Sequence, residues 1–456
     1  MRLTNKVFYD IITSSEKFTA ENTMNTTQIT LYDSPEYKRS RRAYTLECAF
    51  EYFVSLLVTD AFLASLLSSI GLNDSLIGVI TSFISVAFLF QLFSVFIVRK
   101  ITNTKRFAVF FHALSQLFFM SLYLIPFLPF EYKYKEILVI VCILFAYFGN
   151  YLVTSMIYKW GNSFVDPKRR GVFSAGKEMI SLILGMAVTL IIGFAMDSFT
   201  ESGNTNGGFI FAASAILVFS ICDFICLMLI KKETVPHEAK KESVPMRTVL
   251  KNTLGSSSFR SVILLTCLWD VARYTTVGFL GTYSIGELGF TVGAVQIINI
   301  IGNIGRFTIA KPLGAYSDKH SYASGIKLAI IIAALGFAIN VFSTPKSAFL
   351  FILYSVLYNV SMAGTNQNLF NITYSYVDSK YFVEASAIKN SIGGICGFAA
   401  SALASRLLAY VQENGNILFG IRIYGQQVLS LISFILLTVT AIFIHTVIEK
   451  QERMLQ

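Results

Sequence analysis

Residues Val165 to Gly185 read VDPKRRGVFSAGKEMISLILG, and residues Val377 to Gly397 read VDSKYFVEASAIKNSIGGICG. The second segment follows the first by 212 residues and matches it without a gap at nine of 21 positions. Each copy opens with an aspartate and nearby basic residues and continues with apolar and small residues. This pattern is typical of a charged loop followed by a membrane helix whose N-terminus the aspartate caps. In the first copy Pro167 follows Asp166, as proline often does at the first position of a helix. The repeat predicts a chain built from two similar halves.

The composition indicates a membrane protein. Hydrophobic residues make up 54% of the chain and charged residues 14%, whereas soluble domains carry about 25% charged residues. The formal net charge is +10, but basic residues beside apolar segments are explained by membrane topology. We therefore expect a lipid bilayer around the protein, no nucleic-acid partner, and a monomer.

Apolar segments of about the 20 residues that a bilayer requires recur twelve times. A polar tail, residues 1–42, precedes them, and residues 447–456 follow them as a second tail. The charged linker 231–259 separates six segments from six. We predict an all-α membrane protein with twelve transmembrane helices in two pseudo-symmetric six-helix bundles, residues 43–230 and 260–446. The predicted spans are 43–70, 76–98, 107–127, 136–157, 173–197, 208–230, 260–286, 291–311, 325–343, 348–369, 386–411 and 424–446.

Basic residues in alternate loops predict the orientation. The loops at 99–106 and 159–170 each carry four Lys or Arg residues, whereas the loops at 71–75 and 198–207 carry none. Because Lys and Arg are enriched in cytoplasmic loops, the basic loops are expected inside the cell. We therefore predict a multi-pass protein of the plasma membrane with both termini in the cytoplasm.

Motifs of catalysis and metal binding do not occur in the sequence. It contains no HExxH, no GxxxxGK[ST] and no Ser/His/Asp set, and its four histidines are scattered. The six cysteines fall in apolar segments without a disulfide or zinc spacing, which predicts free thiols. The sequence thus predicts neither an enzyme nor a bound cofactor or metal.

Carboxylates inside the first span are candidates for function. Glu51 lies about eight residues into the span and shares a helix face with Glu47, whereas Asp60 points to another side. An ionisable group in a span costs about 2.5–3.5 kcal/mol on insertion scales and generally faces a cavity or a partner. We expect Glu51 to be a protonatable or substrate-facing group. Asp60 is a second candidate, and Glu47 is compatible with an interfacial position.

The seventh span carries the sequence WDVARY, residues 269–274. Asp270 and Arg273 are three residues apart, so they can neutralise each other within one helical turn. A self-contained structural pair is one interpretation. The other is a charged, aromatic-lined binding surface formed with Trp269 and Tyr274 near the middle of the membrane. In the second case Glu51 and this pair bound one site from opposite halves.

Polar side chains also lie in spans four and ten, where we note Asn150, Tyr151, Asn359 and Asn366. Amides in a membrane often hold helices together. Taken together on these two spans, they favour hydrogen-bonding recognition of a polar solute.

The repeat also duplicates a lysine, since Lys177 corresponds to Lys389. Because both copies keep it just after the capping aspartate, we expect a structural role. The lysines would extend to the cytoplasmic surface or pair with neighbouring loops.

The segment after span eight reads KPLGAYSDK, residues 311–319. With Gly314, Asp318 and Lys319 it resembles the Gly-x-x-x-Asp-Arg/Lys loop signature of the major facilitator superfamily. The twelve spans, the six-plus-six division and the long central linker resemble that superfamily as well, over residues 43–446. The corresponding first-half loop, residues 96–100, departs from the signature because it lacks both the Gly and the Asp.

This resemblance implies two helix bundles that rock around a central cavity lined by spans one, four, seven and ten. It implies that Asp318 and its neighbours form a cytoplasmic gate loop. The function it implies is secondary active transport of a small organic solute by alternating access, with or without coupling to protons, as import or as export. The alternative is a membrane sensor or assembly partner that keeps the fold without transporting a solute.

Overall fold

The computed structural model describes residues 32–98, 101, 103–166, 170–231, 254–377, 382–418 and 420–455. Most of the predicted N-terminal tail and most of the predicted linker lie outside these residues, as does Pro167 with its predicted role at a helix start. The described chain is almost entirely helical, apart from a two-stranded antiparallel hairpin in which β1, Ile417–Leu418, pairs with β2, Ile421–Arg422.

The described residues of the first half form eight α-helices. Asn73, Asn103 and Asn204 cap three of them by accepting a hydrogen bond from the backbone N–H three residues later, which satisfies one of the donors a helix start leaves open. The helices are α1 (Pro35–Leu57), α2 (Asp60–Ile70), α3 (Asp74–Thr81), α4 (Phe83–Val98), α5 (Thr104–Leu122), α6 (Tyr132–Asn162), α7 (Arg170–Glu201) and α8 (Thr205–Leu229).

The second half follows the same all-helical plan. Ser256, Thr291 and Ser321 act as N-caps there. The helices are α9 (Ser257–Tyr274), the single turn α10 (Leu280–Thr282), α11 (Val292–Lys319), α12 (Tyr322–Asn340), α13 (Phe349–Tyr376), α14 (Phe382–Glu413), α15 (Gly425–Phe443) and α16 (Glu449–Leu455).

Each of the twelve predicted spans overlaps a helix or a broken pair of helices. Within the described residues, eight helices are long and apolar enough to cross a membrane, and the bent pair of α1 and α2 makes a ninth. The fold is therefore that of an all-α multi-pass membrane protein. The number of twelve crossings and the division into two six-helix bundles stay predictions.

The first helix begins earlier than the sequence indicated. It starts at Pro35, inside the segment assigned to the polar tail, because Ser34 caps it and Glu36 lies in its first turn. Two contacts fix this start, since Glu36 forms an ion pair with Lys231 and Arg41 donates to the carbonyl of Phe164 at 3.0 Å. The last residues of the predicted tail are thus a packed part of the first helix.

The predicted gate loop is helical. Helix α11 continues through Pro312 to Lys319, so Gly314 and Asp318 lie in its last two turns. Proline in a helix interior removes one backbone hydrogen bond but can be accommodated in long membrane helices. The helix therefore ends eight residues beyond residue 311, the predicted end of the span.

The two halves contact each other at the end of the helices away from Pro35 and α16. The carboxylate of Asp197, near the C-terminus of α7, accepts hydrogen bonds from the backbone N–H groups of Val292 and Gly293 at 3.0 and 2.8 Å. Gln412 of α14 donates to Asp74 of α3 at 2.9 Å. The first contact places a carboxylate of one half on a helix N-terminus of the other, where partial positive charge favours it.

Candidate functional site

Arg273 is the centre of the polar cluster in the second half. Its Nε donates to Asp270 Oδ1 at 3.0 Å, and its Nη2 donates to the Tyr274 hydroxyl at 3.0 Å. The guanidinium also lies 4.4 Å from the centre of the Tyr274 ring and 5.8 Å from that of Trp269. A further hydrogen bond reaches Tyr358 of α13. The predicted Asp270/Arg273 pair is therefore present, and it is continuous with aromatic side chains of two helices.

A second cation lies near Asp270. Lys389 of α14 is 6% exposed, donates to the Thr373 hydroxyl at 3.2 Å and interacts electrostatically with Asp270. The absence of a side chain at Gly393 permits this packing, since a Cβ there would lie 2.5 Å from Asp270 Oδ2. The prediction that Lys389 extends to the membrane surface was wrong, because the lysine is buried beside the charged pair of α9.

Glu51 of α1 is the candidate acid of the first half. It interacts with the Asn150 side chain of α6. The hydroxyl of Tyr151, the next residue on α6, interacts electrostatically with Glu51 and also with Arg273 and Tyr274. Tyr151 thus lies in electrostatic range of polar groups of both halves. The predicted site residues in this region are Glu51, Asn150, Tyr151, Trp269, Asp270, Arg273 and Tyr274.

The repeat mates of α7 and α14 make matching contacts. Lys177 donates to the Cys48 thiol at 3.1 Å and lies 4.6 Å from the centre of the Tyr44 ring, so it packs on α1 as Lys389 packs on α9. Eight residues further along, Gly185 contacts the ring of Tyr52. Its mate Gly397 contacts the ring of Tyr274. The duplicated sequence therefore repeats a helix interface as well as a helix.

Asp60 lies at a break in the first span. The axes of α1 and α2 differ by 44°, and Asp60 adopts φ +47°, a left-handed conformation that is uncommon outside glycine although Asp adopts it more readily than most residues. Its side chain is exposed, yet it interacts electrostatically with Tyr52, Tyr147 and Tyr358 of three different helices. The surface that Asp60 exposes is consequently internal, in the space between those helices.

The remaining predicted residues lie elsewhere. Asn359 donates to the Ser355 carbonyl at 2.9 Å and packs against Gly302 of α11, which is the arrangement of an interhelical contact. Asn366 is exposed on α13. Asp318 and Lys319 are exposed at the end of α11. In the part of the chain that the structure describes, neither Asn359 nor Asn366 is among the hydrogen-bond partners of Arg273.

Three buried residues escaped the sequence analysis as a group. Glu47, His112 and Asp223 come from α1, α5 and α8 and meet inside the first half. His112 Nε2 lies 2.7 Å from Asp223 Oδ2. The signal that could have indicated this cluster is Asp223 itself, an acid in the middle of an apolar helix.

The sequence matches a known protein family over most of its length. The model of the major facilitator superfamily matches residues 44–401. The chain belongs to the major facilitator superfamily. Its helical architecture, its buried charges at the interface of the two halves and its transporter-like structural neighbours all agree with this membership.

Solved structures of the superfamily share this fold at low identity. A mutant of the nucleoside transporter NupG superposes with TM-score 0.67 at 13% identity, over 89% of this chain and 99% of that one. A bacterial homologue of the human lysosomal transporter Spinster, in an inward-facing and unoccupied conformation, gives TM-score 0.65 at 12% identity over 90% and 96%. A POT family transporter in complex with 5-aminolevulinic acid gives 0.61 at 13% over 90% and 95%. No curated protein sequence matches the chain at a significant level. These structures share the fold of this chain. Their sequence identities are too low to assign the same substrate to it.

Proposed function

We propose that this member of the superfamily is a secondary active transporter that moves a small polar organic solute across the membrane by alternating access. The observation that carries the proposal is the hydrogen-bonded pair of Arg273 and Asp270 on α9, with Tyr151 of α6 in electrostatic range of both Arg273 and Glu51 of α1. Charged groups inside a membrane fold are costly, and they mark solute or ion pathways in such proteins. The cluster offers an acceptor, a hydroxyl and a cation to one ligand.

The chemistry of the cluster favours a solute that carries several hydrogen-bonding groups and one aromatic or apolar face. Arg273 can bind a carboxylate or phosphate of the solute, because its guanidinium presents several donors in one plane. Glu51 can accept from an amine or hydroxyl, and the rings of Trp269 and Tyr274 provide an apolar wall. Glu51 and Asp270 are the carboxylates to which we would assign proton coupling. Import and export are both compatible with this arrangement.

Alternating access is supported by the position of the contacts between the halves. They join α7 to α11 and α3 to α14 at the end away from both described termini. With the termini in the cytoplasm, as the basic loops predict, this is a conformation closed towards the outside. We extend the proposal to a two-bundle organisation with bundles at residues 43–230 and 260–446 and a linker between them.

The test is solute uptake by the purified full-length protein in proteoliposomes, with and without an imposed pH gradient. The panel contains nucleosides, amino acids, short peptides, 5-aminolevulinic acid and monosaccharides. We expect at least one of them to accumulate. Glu51→Gln and Arg273→Gln should each lower the initial rate at least tenfold when the rate is normalised to the amount of folded protein in the membrane.

Arg406→Gln is the matched control, because Arg406 is an exposed arginine of α14 away from the cluster. It should retain the wild-type rate. If no solute moves in either direction and the pH gradient drives no proton flux, the proposal fails and the non-transporting sensor becomes the better interpretation. If the wild type and both site variants take up solute equally, the protein is a transporter but the cluster is not its solute site.

A further inference from the structure

The cluster of Glu47, His112 and Asp223 lies outside the proposed solute site and is fully buried. The three residues are 0%, 0% and 1% exposed. Their ligand atoms all lie within 4.8 Å of one another. The residues come from three helices far apart in sequence, α1, α5 and α8, so the fold has to bring them together.

The cluster contains polar atoms without partners. Glu47 Oε1, His112 Nδ1, Gln116 Oε1 and Asp223 Oδ1 form no hydrogen bond with any residue the structure describes. Leaving a buried donor or acceptor unpaired costs about 1–3 kcal/mol, and more when the group is charged. Four such atoms in one place indicate that something else occupies the space between them.

The charges around the cluster do not balance. Glu47 and Asp223 supply two carboxylates, Glu51 adds a third from the same face of α1, and the imidazole of His112 can offset only one of them. Cys48 donates its thiol to Glu47 Oε2 at 3.2 Å, and Lys177 of α7 reaches that thiol rather than the cluster. The site therefore lacks positive charge in a place where an unpaired charge is most costly.

We propose that Glu47, His112 and Asp223 bind a divalent transition-metal ion, Zn²⁺ or Mn²⁺. One imidazole nitrogen and two carboxylates form a donor set that suits these ions. Ligands of a tetrahedral ion at about 2.1 Å lie about 3.4 Å apart. The ligand atoms lie within 4.8 Å of one another, and His112 Nε2 and Asp223 Oδ2, now 2.7 Å apart, would separate by about 0.7 Å when the ion binds. The side-chain amide of Gln116, whose Nε2 lies 3.4 Å from His112 Nε2, provides a fourth donor when its oxygen turns towards the ion.

A metal ion at this position accounts for observations that protonation of Glu47 alone does not explain. A charge of +2 balances Glu47 and Asp223 while His112 stays neutral, and coordination satisfies the orphaned oxygens together. Protonation of Glu47 would neutralise one carboxylate but would leave the acceptors of Asp223 and Gln116 without donors. The ion would tie α1 to α5 and α8, one helical turn from Glu51, and would thereby fix the helix that carries the acid of the solute site.

The first experiment measures metal content and stability of the full-length protein in detergent. The protein is stripped with EDTA and reloaded with Zn²⁺ or Mn²⁺, and bound metal is determined by plasma mass spectrometry. We expect one ion per chain and a rise in the thermal unfolding midpoint. Glu47→Gln, His112→Asn and Asp223→Asn should each lose both. His445→Asn and Glu131→Gln, a histidine and an acid outside the cluster, should keep both.

A second measurement uses the wild type alone and does not depend on how the variants fold. Co²⁺ loaded into the stripped protein should give visible d–d absorption bands that an excess of Zn²⁺ removes. The proposal is overturned if the wild type binds less than stoichiometric metal, if no such bands appear, or if stability depends on pH through these residues without responding to metal. None of these outcomes bears on solute transport, so the two proposals can fail separately.

Discussion

Glu51 and Arg273 occupy corresponding positions in the two halves, 222 residues apart on α1 and α9. The same spacing separates Cys48 from Asp270. Cys48 accepts a hydrogen bond from Lys177 of α7, and Asp270 interacts electrostatically with Lys389 of α14. Tyr52 and Tyr274 also share it and contact the repeated glycines. The packing of these helices is thus similar in the two halves, whereas the acid Glu51 of α1 corresponds to the base Arg273 of α9.

The hydroxyl of Tyr151 should contribute to solute affinity, because it interacts electrostatically with both Glu51 and Arg273. Replacing it in Tyr151→Phe removes one hydrogen-bonding group and keeps the ring. We expect KM for the transported solute to rise about tenfold, the loss of about one hydrogen bond of 1–1.5 kcal/mol, with the maximal rate within twofold of wild type. Initial rates of uptake over a range of solute concentrations measure both. Tyr410→Phe, at an exposed position of α14, should change neither.

The repeated glycines should be intolerant of a side chain. In Gly397→Ala a methyl group would lie 2.5 Å from the Tyr274 ring, and in Gly185→Ala it would lie 2.7 Å from that of Tyr52. We expect each variant to lower the free energy of unfolding by about 1–3 kcal/mol, the usual cost of overpacking. Thermal unfolding in detergent measures this. Gly176→Ala is the control, because nothing lies within 4 Å of that position, and a drop as large in the control would disprove the role of the ring contacts.

Much of the fold could be predicted from residue patterns. Long apolar segments predicted the position of the long helices that the structure describes, and the repeat predicted two similar halves. The start of α1 could also have been found, because Ser34, Pro35 and Glu36 form the usual signal of a helix N-terminus. This signal lies beside a polar stretch without apolar periodicity, so hydropathy alone places the start of the helix too late.

The side-chain partners could be predicted only within one helix. Asp270 and Arg273 meet because three residues make almost one turn, so the sequence predicts that contact. The positions of Lys389 beside Asp270 and of His112 beside Asp223 depend on how distant helices pack. A single sequence does not reveal which distant helices pack together, so His112 appears isolated in the sequence.

Asp270 and Lys389 should stabilise the fold jointly. Lys389→Met leaves Asp270 with Arg273 alone, whereas Asp270→Asn leaves a buried lysine with Thr373 as its partner. We expect both single variants to be less stable than wild type, and the double variant to lose less than the sum of the two. A coupling energy of about 0.5–3 kcal/mol is typical of residues in one network. A double-mutant cycle on unfolding free energy measures it, and Lys389→Met combined with Glu131→Gln should be additive.

Asp197 should hold the halves together at the end away from the described termini. Its carboxylate accepts two hydrogen bonds from the N-terminus of α11, and Gly293 allows this approach because a Cβ there would lie 2.6 Å from Asp197 Oδ2. Each bond to a charged group contributes about 1.5–3 kcal/mol. Asp197→Ala should therefore shift the population by tenfold or more towards conformations that are open at this end.

The opening can be measured at Ser405, whose hydroxyl lies 2.7 Å from that of Ser75 across the same interface. In the background of Ser405→Cys, we expect Asp197→Ala to raise the rate of labelling by a water-soluble maleimide at least tenfold, after subtraction of labelling at the native cysteines. Glu201→Ala, one helical turn further along α7 and exposed, should leave the rate unchanged. An equal rate in all three proteins would mean that other contacts, such as Gln412 with Asp74, keep this end closed, because the loss of the α7 contact would then have no effect on the equilibrium.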